Sequence, residues 1–192
     1  MKLIGLTGTA GSGKDTVAEM ITARYPARRL AFADPLKCAA REIFGITDEQ
    51  ITDRVLKERI DPYWGLSPRQ ILQRLGTECI REQFGRDTWL KRAALELDLI
   101  LNSRVIGPGL VVFSDVRFPE EAQWIVEQGG QVVEIMRPGT HAVWAHSSEN
   151  GLPDWLVGFG VLNDGTIEEL RKKVAACLPI WLEHASLTRV GA

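Results

Sequence analysis

The stretch Gly8-Thr9-Ala10-Gly11-Ser12-Gly13-Lys14-Asp15-Thr16 constrains this chain more than any other. It stands directly behind the apolar run Leu3-Ile4-Gly5-Leu6 and ahead of Val17-Ala18-Glu19-Met20-Ile21, which has a helical pattern. A strand thus feeds a turn in which Gly8, Gly11 and Gly13 carry no Cβ, so successive backbone N–H groups can point inward around an anion at a helix N-terminus. Lys14 adds a full positive charge. The spacing fits G-x-x-x-x-G-K, a phosphate-binding loop, in the strand-then-helix context that the motif needs. Read only as a tight turn with an incidental lysine, the stretch leaves its clustered glycines without a reason. The usual next residue is a Ser or Thr that ligates Mg²⁺; here it is Asp15, and the hydroxyl arrives one position later, at Thr16. A carboxylate beside a polyphosphate is repelled unless a cation stands between them, which points Asp15 toward Mg²⁺ or a metal-bound water.

A chain of 192 residues, 45% of them hydrophobic, suits a single domain over residues 1–192 with a substantial core. A formal charge of −2 gives no general attraction to nucleic acid polymers or anionic membranes, so phosphates must be held by local basic clusters. Cys38, Cys79 and Cys177 are odd in number and widely spaced, which indicates neither a disulfide framework nor a zinc site and fits a reducing cytoplasm. Met1 runs almost directly into the first strand, and no long apolar run follows, so neither a cleavable signal nor a membrane anchor is expected.

After the first helix, Arg28 to Ala33 reads as a second strand, and Pro35 takes the first helical position of a helix reaching Phe44. Lys37 lies in its first turn, where a cation opposes the helix dipole; holding an anion there is one reason to accept this, and a solvated surface lysine is the other. Residues 45–66 show no clear period and read as a flap, with a turn at Asp61-Pro62-Tyr63-Trp64-Gly65. Ser67-Pro68-Arg69-Gln70 has capping-box order, so a helix starts there with Arg69 in its first turn. Gly76-Thr77-Glu78 interrupts its pattern, and Gly76 permits close approach of a ligand or another helix. The next helix opens at Asp87-Thr88-Trp89, with Leu90, Ala94, Leu97 and Leu101 along one face. Taken alone, Trp89 is more often core than ligand platform, and Arg86 is more often surface than site.

Leu110 to Ser114 is an apolar strand of the buried type that ends at Asp115, the position of a Walker B carboxylate; a helix N-cap is the alternative role. Gly129-Gly130 closes the following helix, Val132 to Met136 is a strand, and Arg137-Pro138-Gly139 leaves it toward a lid-like loop at roughly 138–156. That loop holds His141, His146 and Glu149 at spacings that do not make a metal site. Val157 to Leu162 is the last strand. Asn163-Asp164-Gly165 turns into a capping box, Thr166 to Glu169, and a helix with Ile167, Leu170, Val174, Leu178 and Trp181 on one stripe.

Strands alternating with helices predict a three-layer α/β fold around a parallel sheet of about five strands. The phosphate loop, Asp34, Asp115 and Arg137 then fall at strand C-terminal ends on one edge, and Lys14, Lys37, Arg69, Arg86 and Arg117 are available to line it. So many cations exceed what one triphosphate needs. Two phosphorylated ligands account for the surplus, because phosphoryl transfer between them rests on positioning and charge neutralisation.

Gly11 to Thr16, Asp34-Pro35-Leu36-Lys37, Ser67 to Gln70, Leu75 to Glu78, Trp89, Asp115-Val116-Arg117, Arg137-Pro138-Gly139 and Asn163-Asp164-Gly165 together resemble the deoxynucleoside monophosphate kinases of tailed bacteriophages, in order and over nearly the whole chain. The resemblance implies a P-loop kinase fold with a helical substrate-covering insertion, typically a homodimer in the host cytoplasm, that phosphorylates deoxynucleoside 5′-monophosphates with ATP and Mg²⁺. It assigns Gly11, Gly13, Lys14, Asp15 and Thr16 to ATP phosphates and Mg²⁺. Leu36, Lys37, Arg69, Gly76, Thr77, Arg86, Trp89, Asp115 and Arg117 fall to the monophosphate, with Lys14, Asp15, Arg69 and Arg117 acting in catalysis. The chain is shorter than some relatives near 45–66, which leaves base selectivity open. Another P-loop small-molecule kinase, such as a phosphomevalonate kinase-like enzyme, and a nucleotide-dependent switch are the other readings.

Overall fold

Strands of a parallel sheet covered on both faces are expected to be apolar along their whole length. In the computed structural model, which describes residues 1–102, 109–139 and 151–185, β1 (Lys2–Thr7) is buried from Leu3 onward and β3 (Leu110–Phe113) throughout. With β2 (Ala27–Leu30), β4 (Gln131–Met136) and β5 (Phe159–Leu162) they form one all-parallel sheet in the order β2-β3-β1-β4-β5. The chain falls into two compact units, Met1–Ala31 with Glu96–Ala192, and Phe32–Leu95, each with its own core.

In the first unit the period of two along each strand sorts side chains between faces. Ile4 pairs with Val112, and Leu6 with Val133; these residues pack with Ile135 and Val161 against α1 (Lys14–Arg24) and α8 (Ile167–His184). α8 contributes Leu170, Val174, Leu178 and Trp181, all buried, while Ile167, expected on that stripe, is exposed in the first turn. The other face is covered by α7 (Pro119–Glu127), whose Trp124 meets Phe113 edge to face at 5.6 Å. Gly5 makes this approach possible: a Cβ there would stand 2.6 Å from Ile125 Cδ1 and 2.9 Å from Val116 Cγ2. Helices on both faces of a parallel sheet give the three predicted layers.

β2 is shorter than its sequence suggests. The Ser114 amide donates to Leu30 O, which closes the β2–β3 ladder, and the next three residues turn into α2 (Asp34–Phe44), so Pro35 lies one position inside the helix start.

In the second unit, Ala40 of α2 packs with Ile46, with Ile51 of α3 (Asp48–Thr52) and with Ile71 of α4 (Pro68–Gln73). α3 lies inside the segment that shows no period, and it is opened by a capping box between Thr47 and Gln50. The turn at 61–65 is present: Asp61 Oδ1 accepts the amides of Tyr63 and Trp64, and the Asp61 amide donates to Leu66 O. α4 starts at its predicted Ser67–Gln70 box and runs on as a π-helix over Arg74–Arg81 and then α5 (Glu82–Phe84). α6 (Thr88–Leu101) follows; it buries Ala93, Leu97 and Ile100, so the face expected from Leu90, Ala94 and Leu101 is rotated toward them. His141, His146 and Glu149 lie outside the described residues, as does most of the lid-like loop. Among the described residues no helix is long and apolar enough to cross a membrane.

Candidate nucleotide-binding site

β1 lies at the centre of the sheet, between β3 and β4, and its C-terminal end is where a doubly wound sheet opens a crevice for ligands. The loop leaving it has Gly8, Gly11 and Gly13 at φ of 129°, 80° and 106°, a region that residues with a Cβ seldom enter. Gly8 is further required by packing, since a Cβ there would lie 2.2 Å from Ile135 O of β4. At the end of the loop, Gly13 is the N-cap of α1 and provides no side-chain cap for the first amides of that helix. Uncapped amides at a helix N-terminus are donors aimed at an anion, and the helix dipole adds to their pull.

Lys14, nearly buried, folds back so that Nζ donates to Gly8 O at 2.6 Å and Thr9 O at 2.8 Å. The ammonium is thereby held over the loop. Asn163, just after β5, donates from Nδ2 to Ser12 O at 2.8 Å, while its own amide donates to Met136 O at the end of β4. Two neighbouring strands thus pin the middle of the loop. Asp164 next door is tied to α8: Lys173 Nζ lies 2.6 Å from its carboxylate, which that hydrogen bond holds below the usual carboxylate range. Ser12 Oγ is fully buried and has no hydrogen-bond partner among the described residues.

Asp15, in the first turn of α1, forms an ion pair at 3.0 Å with Arg29 of β2. The same guanidinium donates through Nε to Ser114 Oγ at 2.8 Å, just past β3. Sequence reasoning missed Arg29. The available signal was a pair of arginines inside a strand, where period two sends them to opposite faces. Arg29 shares its face with Val112, the side that α1 covers, while Arg28 turns the other way and pairs with Glu96 of α6.

β3 leads into Ser114, buried, and Asp115, half-buried; the Val116 amide donates to Leu6 O, so this segment stays tied to β1 next to the phosphate loop. Arg117 is exposed, but its amide and that of Phe118 both donate to Glu121 Oε2, at 2.9 and 3.1 Å. The buried Glu121 carboxylate therefore fixes the backbone that carries Asp115 and Arg117 and completes the start of α7. Arg137 follows β4 and is exposed.

The remaining predicted residues belong to the second unit. Leu36 of α2 reaches the π-helix at Gly76, where a Cβ would lie 2.7 Å from Leu36 Cδ2, and Trp89 donates its indole N–H to Gly76 O at 3.2 Å. Leu36, Gly76 and Trp89 are thus brought together by close approach of helices, with Thr77 half-buried beside them. Lys37 Nζ lies 3.3 Å from Asp34. Arg69 is ion-paired with Glu58, and its amide donates to Lys57 O, which ties the interior of the 45–66 segment to the start of α4. Arg86 is exposed in the turn before α6.

The profile of the deoxynucleotide monophosphate kinase family matches residues 42–174. A putative deoxynucleotide monophosphate kinase of Acanthamoeba polyphaga mimivirus is 36% identical over 190 residues, covering 93% of this chain and 96% of that protein. The deoxynucleotide monophosphate kinase of Enterobacteria phage T4 is 26% identical, with 94% of this chain and 100% of the phage protein covered. Among solved structures, dephospho-CoA kinase from Campylobacter jejuni superposes with a TM-score of 0.53 at 14% identity, over 94% of this chain and 97% of that one. TT1252 from Thermus thermophilus gives 0.50 at 23%, over 93% and 97%. At such identities the two structures speak for the fold alone. The family profile spans more than half of the sequence and the viral relative nearly all of it: the chain belongs to the deoxynucleotide monophosphate kinase family.

Proposed function

We propose that this enzyme uses ATP and Mg²⁺ to phosphorylate deoxynucleoside 5′-monophosphates to diphosphates, supplying precursors of deoxynucleoside triphosphates. The observation that carries the reading is the phosphate loop: three glycines at positive φ before an uncapped helix N-terminus, with the Lys14 ammonium held across them. The buried, unsatisfied Ser12 hydroxyl supports it, since such a group costs about 1–3 kcal/mol and persists where function demands the geometry.

The donor set fits the expected ligands. Loop amides and Lys14 suit a polyphosphate, and the Asp15 carboxylate with the Thr16 hydroxyl offers the hard oxygen donors that Mg²⁺ takes. Bound there, ATP supplies the transferable phosphoryl group and Mg²⁺ the countercharge for its phosphates. Gly11, Gly13, Lys14 and Thr16 orient the β- and γ-phosphates, and Lys14 neutralises charge that grows on them during transfer. Leu36, Lys37, Arg69, Gly76, Thr77, Arg86, Trp89, Asp115 and Arg117 form the monophosphate's surroundings, with Arg69 and Arg117 clamping its phosphate. Glu121 keeps Arg117 in register. A general base is not required, because a phosphate oxygen is already a nucleophile at neutral pH. In this reading both units serve one catalytic domain, in a homodimer located in the cytoplasm.

Coupled assays of ADP formation across dGMP, dTMP, dCMP, dAMP and their ribonucleotide counterparts test the proposal. Stoichiometric ATP consumption that depends on an added deoxynucleoside monophosphate is expected. Hydrolysis indifferent to acceptor favours a switch, and phosphorylation confined to other acceptors favours a different small-molecule kinase. In the same assay Lys14→Ala is expected to lose about 10²–10³-fold in kcat, the scale of one preorganised charge contact, with the thermal melt retained.

A further inference from the structure

Asp15 occupies an awkward place. It stands in the first turn of α1, beside Lys14 and at the helix end that a polyphosphate needs, and its own charge repels that ligand. Arg29 answers the charge at 3.0 Å and has a second anchor besides Asp15. The guanidinium is anchored through Nε to the hydroxyl of the buried Ser114, and the register of β2 against β3 directs it to the face that α1 covers. A cation anchored at Ser114, its own side chain 39% exposed, therefore faces a carboxylate that is 73% exposed.

Resting on the nucleotide reading above, we infer that Arg29 is a positioning residue that holds and neutralises Asp15 in the metal-free enzyme, and that a divalent cation replaces it as the carboxylate's countercharge when the metal–nucleotide complex binds. Without Arg29, the unneutralised Asp15 repels metal-free nucleotide, while the metal complex brings its own countercharge and is little affected. The quantity that isolates this role is the ratio of nucleotide affinities with and without metal, not turnover.

The experiment measures equilibrium binding of ATP, in EDTA and in saturating Mg²⁺, to the wild-type protein, Arg29→Met, Arg29→Lys, Asp15→Asn and the double variant Asp15→Asn/Arg29→Met. Relative to wild type, Arg29→Met is expected to raise the affinity ratio about three- to fivefold, the scale of an exposed ion pair, through weaker binding in EDTA. Arg29→Lys, which keeps the charge, is expected to stay within about twofold of wild type. In the Asp15→Asn background the Arg29→Met effect is expected to vanish. Should Arg29→Met fail to fold, Ser114→Ala carries the test: it cuts only the anchor and is expected to move the ratio in the same direction by less. An unchanged ratio in Arg29→Met, or in Ser114→Ala where that variant stands in, overturns the inference, and so does a change that persists in the Asp15→Asn background. Lack of ATP binding by the wild-type protein would sink the nucleotide reading and the inference with it; failure in the variants alone sinks only the inference.

Discussion

Asn163 shows how much one side chain can decide at the phosphate loop. Its amide nitrogen holds Ser12 O, and a Cβ added to Gly13 would lie 2.8 Å from that same nitrogen, so loop and asparagine fit only as a pair. Asn163→Ala removes the donor and leaves a buried carbonyl unmatched, at a cost of about 1–3 kcal/mol in stability. We expect its ATP KM to rise several-fold while the monophosphate KM stays near wild type, a split that steady-state kinetics reads directly. The residues of the loop itself were legible in the sequence because the motif is local: strand, glycines, lysine and helix follow one another. Arg29 was not, since its partners Asp15 and Ser114 come from different elements and only strand register brings them to it. Glu121 was hidden for a similar reason. Glu121 lies at the third position of α7, but what it holds is the backbone of Arg117 and Phe118 before the helix starts.

At the level of elements, the capping boxes at Ser67 and Thr166 were readable because each is a pair of residues three apart whose side chains and amides exchange hydrogen bonds. The same signature at Thr47 and Gln50 stands inside a segment without apolar period that would mark it as a helix start, yet it opens α3. Helix faces were harder. α6 carries leucine or isoleucine almost all round, so its pattern allows neighbouring stripes, and packing selected Ala93, Leu97 and Ile100. The break at Gly76 proved to be a π-helix, in which the Glu82 amide reaches back to Thr77 O, with α2 packed close against the glycine. Gly76→Ala sets two effects in opposition: alanine gains up to about 1 kcal/mol of helix propensity, and its methyl displaces the flexible end of Leu36. We expect the melting temperature to move by no more than about 4 °C in either direction. The monophosphate KM is expected to rise, with ATP KM unchanged; equal shifts in both constants would count against a substrate role for the Leu36–Gly76 contact.

For the molecule as a whole, acid sensitivity follows from where its carboxylates are held. Asp164 is depressed by its hydrogen bond from Lys173, and Glu169 by its hydrogen bonds from the Thr166 amide and hydroxyl; the first ties the turn after the last strand to α8, and the second closes the capping box that opens α8. A carboxylate with a depressed folded pKa stabilises fully above its unfolded value, and that contribution is lost as pH falls through the folded one. Thermal melts of the wild type and Lys173→Met should therefore differ at neutral pH and converge well below about pH 4, where the paired aspartate protonates. The sequence by itself determined the alternation of strands and helices, the parallel three-layer fold and the phosphate loop, because period, caps and glycine spacing act over a few residues. Tertiary structure alone decided the order β2-β3-β1-β4-β5, the pinning of the loop by Asn163 and the seating of Arg29 between Asp15 and Ser114. Those depend on which strands lie side by side and in what register, and contacts between residues far apart in the chain leave no local pattern to read.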